Sequence, residues 1–177
     1  SRGATNLGHV TEAGWFIAKL AAYTGDAAML DKARALVDWA IRYGYDEGLG
    51  GLYDYAEPTG EVVSNIKTWW NQAELLGALA FLYRITGDEA YLSRLEHHLA
   101  FIEGYQLDGE YGEWYPRLRA DGTVHPGRAG EPGDAKGSPW KSPYHVIQGL
   151  VHACRDLRRA AGVLSVAEPA SWDDYCL

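Results

Sequence analysis

A chain of 177 residues, 47% hydrophobic and 23% charged, is long enough to bury one sizeable core and has the balance of a globular domain. Its net charge of -8 and pI near 5.2 argue against a nucleic-acid or anionic-membrane partner, and no apolar run approaches the roughly 20 residues needed to span a bilayer. Two cysteines, Cys154 and Cys176, give neither a disulfide framework nor metal-ligand spacing, which points to a reducing, cytoplasmic setting.

From about His9 to Tyr23 the chain is apolar on most sides, with Trp15, Phe16, Ile17, Leu20 and Ala21, and this predicts a helix buried within the fold. Gly25 suits its C-terminal cap and Asp26 the N-cap of the next helix. That helix, roughly 27–43, is striped instead: Ala33, Leu36, Val37, Ala40 and Ile41 share one face and Asp31, Lys32, Arg34, Asp38 and Arg42 the other. A loop over 44–66 follows, where Gly50-Gly51-Leu52-Tyr53-Asp54 predicts a short hairpin. The pattern then returns. Leu75 to Tyr83 carries no charge, and Leu92, Leu95, Leu99 and Ile102 stripe the helix after it. A longer loop over 104–142, rich in Gly and Pro, precedes a third inner helix over about 144–161, and 162–177 read as an irregular tail.

The recurrence has a fixed period. Glu12 returns as Glu74, Thr24-Gly25-Asp26 as Thr86-Gly87-Asp88, Asp46 as Asp108, Tyr53 as Tyr115 and Gly60 as Gly122, each 62 residues on. Long-period self-similarity marks a fold made by adding one supersecondary unit to the next. All-apolar helices alternating with striped ones predict two concentric layers, an inner ring wrapped by an outer one. Five helices do not close a ring, and the chain opens at Ser1 without an initiator Met, so it reads as a piece of a longer protein.

Three clusters fall at the starts of the inner helices: Gly8-His9-Val10-Thr11-Glu12-Ala13-Gly14-Trp15, Lys67-Thr68-Trp69-Trp70-Asn71-Gln72-Ala73-Glu74, and Lys136-Gly137-Ser138-Pro139-Trp140-Lys141-Ser142-Pro143-Tyr144-His145. His9 and Glu12 stand three apart, and Trp70 and Glu74 four apart, so each pair shares a helix face. Core packing would not choose a glutamate at the same phase of two apolar helices. Two histidines and two glutamates among Trp and Tyr side chains, which join a flat apolar face to a polar handle, read as a polyol-binding site. Of Trp69 and Trp70, one is expected in the cleft and one in the core. His152 reads as core, and His97 and His98 as solvated residues of an outer helix. No set of residues has metal-ligand spacing and no glycine loop suits phosphate.

The stretches Gly8-His9-x-x-Glu12-x-x-Trp15, Trp69-Trp70-x-Gln72-Ala73-Glu74 and Lys136-Gly137-x-x-Trp140-Lys141-x-Pro143-Tyr144-His145 resemble the N-acylglucosamine 2-epimerase superfamily, the third being similar to its cellobiose and mannose 2-epimerase branch. The resemblance runs to about residue 161. It implies an all-α (α/α)6 barrel roughly twice this length, with residues 1–161 as its C-terminal half. It further implies an enzyme that epimerises an aldose at C2 without metal or redox cofactor. In that reading His9 and His145 transfer the proton, Glu12 and Glu74 orient them or hold hydroxyls, and Trp15, Trp69, Trp70, Gln72, Trp140 and Tyr144 contact the sugar. Return of the proton to C1 would make the same residues an aldose–ketose isomerase. Two readings of other classes stand beside it: a glycoside hydrolase using Glu12 and Glu74, and a non-catalytic half that binds sugar. The expected partners are a small sugar and either the missing N-terminal half or a second copy.

Overall fold

The computed structural model describes residues 3–128 and 131–162, so the expected tail over 162–177 lies almost wholly outside the described residues. Its frame is five α-helices: α1 (Leu7–Thr24), α2 (Ala27–Gly44), α3 (Trp69–Thr86), α4 (Glu89–Phe101) and α5 (Tyr144–Ala160). α4 continues as a π-helical stretch, Ile102–Gln106, so that the second outer helix ends 62 residues after the first. The stops are those the composition asked for. Gly25 and Gly87 adopt left-handed conformations at the ends of α1 and α3, and the Asp26 and Asp88 carboxylates accept from the N–H groups of Met29 and Ala90.

α1 packs on α2 and α3, and α3 on α4 and α5, with α3 in the middle. Residues 71–82 of α3 are all buried, which is why the apolar positions there wrap the whole helix. The outer helices α2 and α4 bury only a stripe: Ala33, Val37 and Ala40 in one, Tyr91, Leu95 and Phe101 in the other. No helix of the described residues is long and apolar enough to cross a membrane.

Among the described residues, seven strands of two or three residues close the loops. β1 (Thr5–Asn6), β2 (Tyr55–Ala56) and β3 (Val62–Ser64) form one antiparallel sheet, β4 (Lys67–Thr68) pairs β5 (Arg117–Leu118), and β6 (Gly127–Arg128) pairs β7 (Glu131–Pro132). The 62-residue period extends to this pairing. Thr5↔Ala56 and Asn6↔Tyr55 recur as Lys67↔Leu118 and Thr68↔Arg117, and Leu7 N–H to the Asp54 carbonyl recurs as Trp69 N–H to the Pro116 carbonyl. The expected hairpin around Gly50 closes on the bridge Tyr45↔Leu52, with Leu107↔Trp114 as its counterpart.

Each loop is pinned by a lysine on an aspartate. Asp46 caps its own turn, accepting from Gly48 and Leu49 N–H, and takes Lys67 Nζ at 2.7 Å on the other oxygen. Asp108 does the same with Glu110, Tyr111 and Lys136 Nζ. Lys67 is fully buried and also donates to the Gly50 and Ala120 carbonyls, joining the two repeats. Burial pushes its ammonium down and Asp46 resists that shift. Burial opposes the Asp46 charge too, but Lys67 and the turn N–H groups win and hold its carboxyl below the usual range.

His98 corrects the expectation of a solvated histidine. It is wholly buried, with Nε2 at 2.9 Å from the Gln72 carbonyl oxygen, and burial brings it down to about 4, so it is neutral. Removing one partner of a buried pair leaves an uncompensated charge at a cost of about 3–5 kcal/mol. Lys67→Met is therefore expected to lower the unfolding free energy by about 3 kcal/mol in urea titrations, whereas Arg34→Met, which frees the exposed Asp88, should change it by under about 1 kcal/mol.

Candidate functional site

The starts of α1, α3 and α5 converge. Trp70, on the first turn of α3, has ring contacts with His9 of α1 (centroids 4.8 Å apart) and His145 of α5 (5.5 Å). Beneath them lies Glu74, one turn into α3 and only 1% exposed. Its Oε1 is 2.6 Å from His145 Nδ1, and its Oε2 accepts from the Trp15 indole N–H at 2.8 Å. Glu12 stands beside this pair, and burial first and Glu74 second push its carboxyl above the ordinary glutamate range, with His145 and His9 pulling the other way.

Two glycines permit that convergence. A Cβ on Gly8 would stand 2.1 Å from Asn71 Oδ1 and 2.7 Å from the Trp70 ring, so only glycine lets α1 come so close to Trp70. A Cβ on Gly149 would stand 2.4 Å from the Ala73 carbonyl oxygen. Gly149 thus brings α5 against the backbone of α3 beside Glu74, and His145 sits one turn earlier on the same helix. At the start of α1, Asn6 is the cap, accepting from His9 N–H, which leaves the His9 ring on the exposed side.

The remaining expected site residues divide. Tyr144 is exposed and lies edge-on to His145 at 5.0 Å, and Trp140 is 78% exposed on the loop before α5. Trp69 is the core tryptophan of its pair and Trp70 the one at the cluster, a division that spacing left open. Trp15 is fully buried and acts on Glu74 rather than forming an open wall. Gln72 is fully buried, accepts from Leu52 N–H and donates to the Leu52 and Thr68 carbonyls. It ties α3 to the hairpin. Sequence reasoning missed Asp54, which takes Thr68 Oγ1–H at 2.8 Å and the Asn71 amide at 3.0 Å under the site. The lysines of the second and third motifs are anchors: Lys67 on Asp46, Lys136 on Asp108, and buried Lys141 on Glu113.

Donor atoms of Glu12, Glu74 and His145 lie within 4.8 Å of one another. The 2.6 Å contact between Nδ1 and Oε1 is that of a short hydrogen bond; two donors on one small cation stand about 3 Å or more apart at the usual bond lengths. The glutamates are also closer than the roughly 6.5–9.5 Å that an inverting hydrolase leaves between its carboxyl groups for water. An imidazole held through Nδ1 by a buried carboxylate presents Nε2 as the basic nitrogen, an arrangement suited to moving a proton.

Paired inner and outer helices, with a His–Glu cluster where the inner helices begin, define part of an (α/α)6 toroid. Residues 2–147 match the model of the N-acylglucosamine 2-epimerase (GlcNAc 2-epimerase) family, and the chain belongs to that family. The N-acylglucosamine 2-epimerase of Bos taurus is 33% identical over 175 residues, covering 94% of this chain and 38% of that protein. The cellobiose 2-epimerase of Bacteroides fragilis is 32% identical over 144 residues, covering 79% and 35%. Among solved structures, a D-mannose isomerase superposes with a TM-score of 0.76 at 26% identity, over 85% of this chain and 37% of that one. The chain spans less than two fifths of the length of these relatives, somewhat short of the half that the motifs implied.

The environment of Glu12 has a measurable consequence. A carboxyl raised in the folded state contributes stability that is complete below its unfolded value and is lost as pH rises through the folded one. Glu12→Gln is expected to unfold at the wild-type temperature near pH 4 and above it at pH 7, read by calorimetry across that range.

Proposed function

We propose that this chain carries the proton-transfer side of a sugar 2-epimerase, in which His9 and His145 remove and return the C2 proton of an open-chain aldose. The observation that carries the reading is the pair of imidazoles that both contact the ring of Trp70, one of them held by a buried carboxylate. One histidine takes the proton from C2, giving an enediolate, and the other delivers a proton to the opposite face, inverting the centre. Histidine, with an ordinary pKa near 6.5, serves both directions. Glu74 fixes the His145 ring; Glu12 holds hydroxyls; Trp70, Tyr144 and Trp140 provide flat surfaces for the pyranose carbons. Since the proton is only relocated, the reaction calls for no change of oxidation state.

The substrate class proposed is mannose/glucose or a cellobiose-type disaccharide, in a cytoplasmic setting. Delivery of the proton to C1 instead would give an aldose–ketose isomerase, and one similar structure bears the name D-mannose isomerase. Glu74 is poorly placed for a hydrolase, since both its oxygens are already engaged.

Residues 1–161 are proposed as one part of the barrel, and the complement is the rest of its inner ring. α1 exposes Phe16, Leu20 and Tyr23, and α5 exposes Ile147, Leu150 and Val151, at the two ends of the row α1–α3–α5. An open groove lined by Tyr144, Ile147, Val151 and Arg155 runs along α5 on that side. Such apolar faces on inner helices call for a cover. The chain alone is expected to self-associate on size exclusion, with Ile147→Lys shifting it towards monomer; a monomer in both cases would remove the need for a covering partner.

The deciding measurement is NMR of mannose, glucose and cellobiose in heavy water with the chain, alone and complemented by the remaining barrel segment. Deuterium at C2 together with the C2 epimer is the expected result, and it should vanish in His145→Asn. A ketose product would favour the isomerase, and no exchange in the complemented barrel would end both readings.

A further inference from the structure

Trp15 and Lys19 lie one helical turn apart on α1, and neither belongs to a conventional sugar-contacting surface. Trp15 is fully buried and Lys19 is 7% exposed. The Lys19 ammonium stands 3.8 Å from the centre of the Trp15 ring and 3.3 Å from His152 Nε2. His152, edge-on to Trp15 at 5.2 Å, is brought down to about 4 by burial first and by Lys19 and Arg155 next, so it faces the ammonium as a neutral ring. From Lys19 the contacts run without a break: ammonium over indole, indole N–H to Glu74 Oε2, Glu74 Oε1 to His145 Nδ1.

A carboxylate as buried as Glu74 keeps its charge only if both oxygens have donors. One donor is His145 itself; the other is Trp15. A cation on the face of an indole draws electron density from the ring and strengthens its N–H as a donor. We propose that Trp15 is a positioning residue for the reaction, with Lys19 acting through it: the indole N–H keeps Glu74 ionised, and Glu74 keeps the proton of neutral His145 on Nδ1, leaving Nε2 as the base. Its catalytic meaning rests on the role proposed for His145, but the tautomer it sets is a property of the folded chain.

Without the indole donor the proton balance reverses. Glu74 then takes the proton from His145 Nδ1 and holds it as a hydrogen-bond donor to that nitrogen, while one proton from solvent occupies Nε2, the atom required as base. Glu12, Glu74 and Tyr144 are titratable groups beside His145, and none of them replaces the indole N–H on Glu74 Oε2.

The test is long-range proton–nitrogen NMR of the full chain labelled at histidine nitrogen, with the His145 signals assigned by their loss in His145→Gln. The expected wild-type spectrum has His145 as the Nδ1–H tautomer, and Trp15→Phe should move it to predominantly Nε2–H while circular dichroism reports an intact fold. An unchanged Nδ1–H tautomer in folded Trp15→Phe would overturn the proposal, since a merely structural tryptophan costs stability without moving a proton. Should Trp15→Phe fail to fold, Lys19→Met leaves the indole in place. It is expected to move the Trp15 indole proton upfield and to transfer part of the His145 population to Nε2–H; no change in either signal would overturn the relay. Because this readout needs neither sugar nor turnover, its failure leaves the epimerase reading intact. A normal tautomer response without deuterium exchange at C2 would remove the epimerase reading alone.

Discussion

A buried carboxylate that touches three helices sets the geometry around it. Glu74 belongs to α3, its two oxygens are met by a donor from α1 and by an imidazole from α5, and almost none of it reaches solvent. Desolvating an ionised carboxyl is costly unless hydrogen bonds and opposite charge return the loss, so the three inner helices cannot shift relative to one another without exposing that cost. Close packing at Gly8 and Gly149 brings the helices within reach, and Glu74 then fixes where they stop. Apolar packing alone tolerates small slides between helices; a carboxylate with two directional partners does not.

Two lysine–aspartate pairs do for the loops what Glu74 does for the helices. Lys67 on Asp46 and Lys136 on Asp108 each close a turn that already caps itself, and each lysine opens the segment leading to the next inner helix. The two lysines are not at the 62-residue period, because the second loop is longer, yet their partners are. The electrostatic contact has been kept in space although its position in the sequence moved. These loops carry Trp140 and the approach to His145, so anchoring them to aspartates also anchors the rim of the site.

The layered architecture was legible because a helix buried on all sides and a helix buried on one stripe differ in composition at every turn. α1 against α2 and α3 against α4 could be told apart on that ground, and the period of 62 carried over unchanged to strand register. Side-chain direction was less accessible. Gln72 and Glu74 are two residues apart on one buried helix and both polar, yet one serves the hairpin backbone and the other the histidine, a difference set by what α3 faces at each position. His98 was misread for a related reason: it occupies an outer helix but points inward at the Gln72 carbonyl, and a single buried imidazole barely alters an amphipathic pattern. Trp69 and Trp70 are adjacent and chemically identical, so only the approach of Gly8 from another helix separates them.

The two histidines are held unequally, and that asymmetry bears on how a proton could cross a sugar. His145 is locked by a buried carboxylate with a further donor behind it, whereas His9 has the face of Trp70 and a backbone cap at Asn6 that fixes its helix rather than its ring. An epimerase must be able to start from either face, which requires one base to be deprotonated while the other is protonated. Identical environments would give the two rings equal claims on a single proton. A carboxylate against only one of them fixes that ring's orientation and the nitrogen it presents, so the two imidazoles are held differently before any sugar binds. In the proposed enzyme His9 is then the more adjustable partner. Its ring would be set by the bound sugar and the covering barrel segment, while the α1–α3–α5 triad keeps His145 in place.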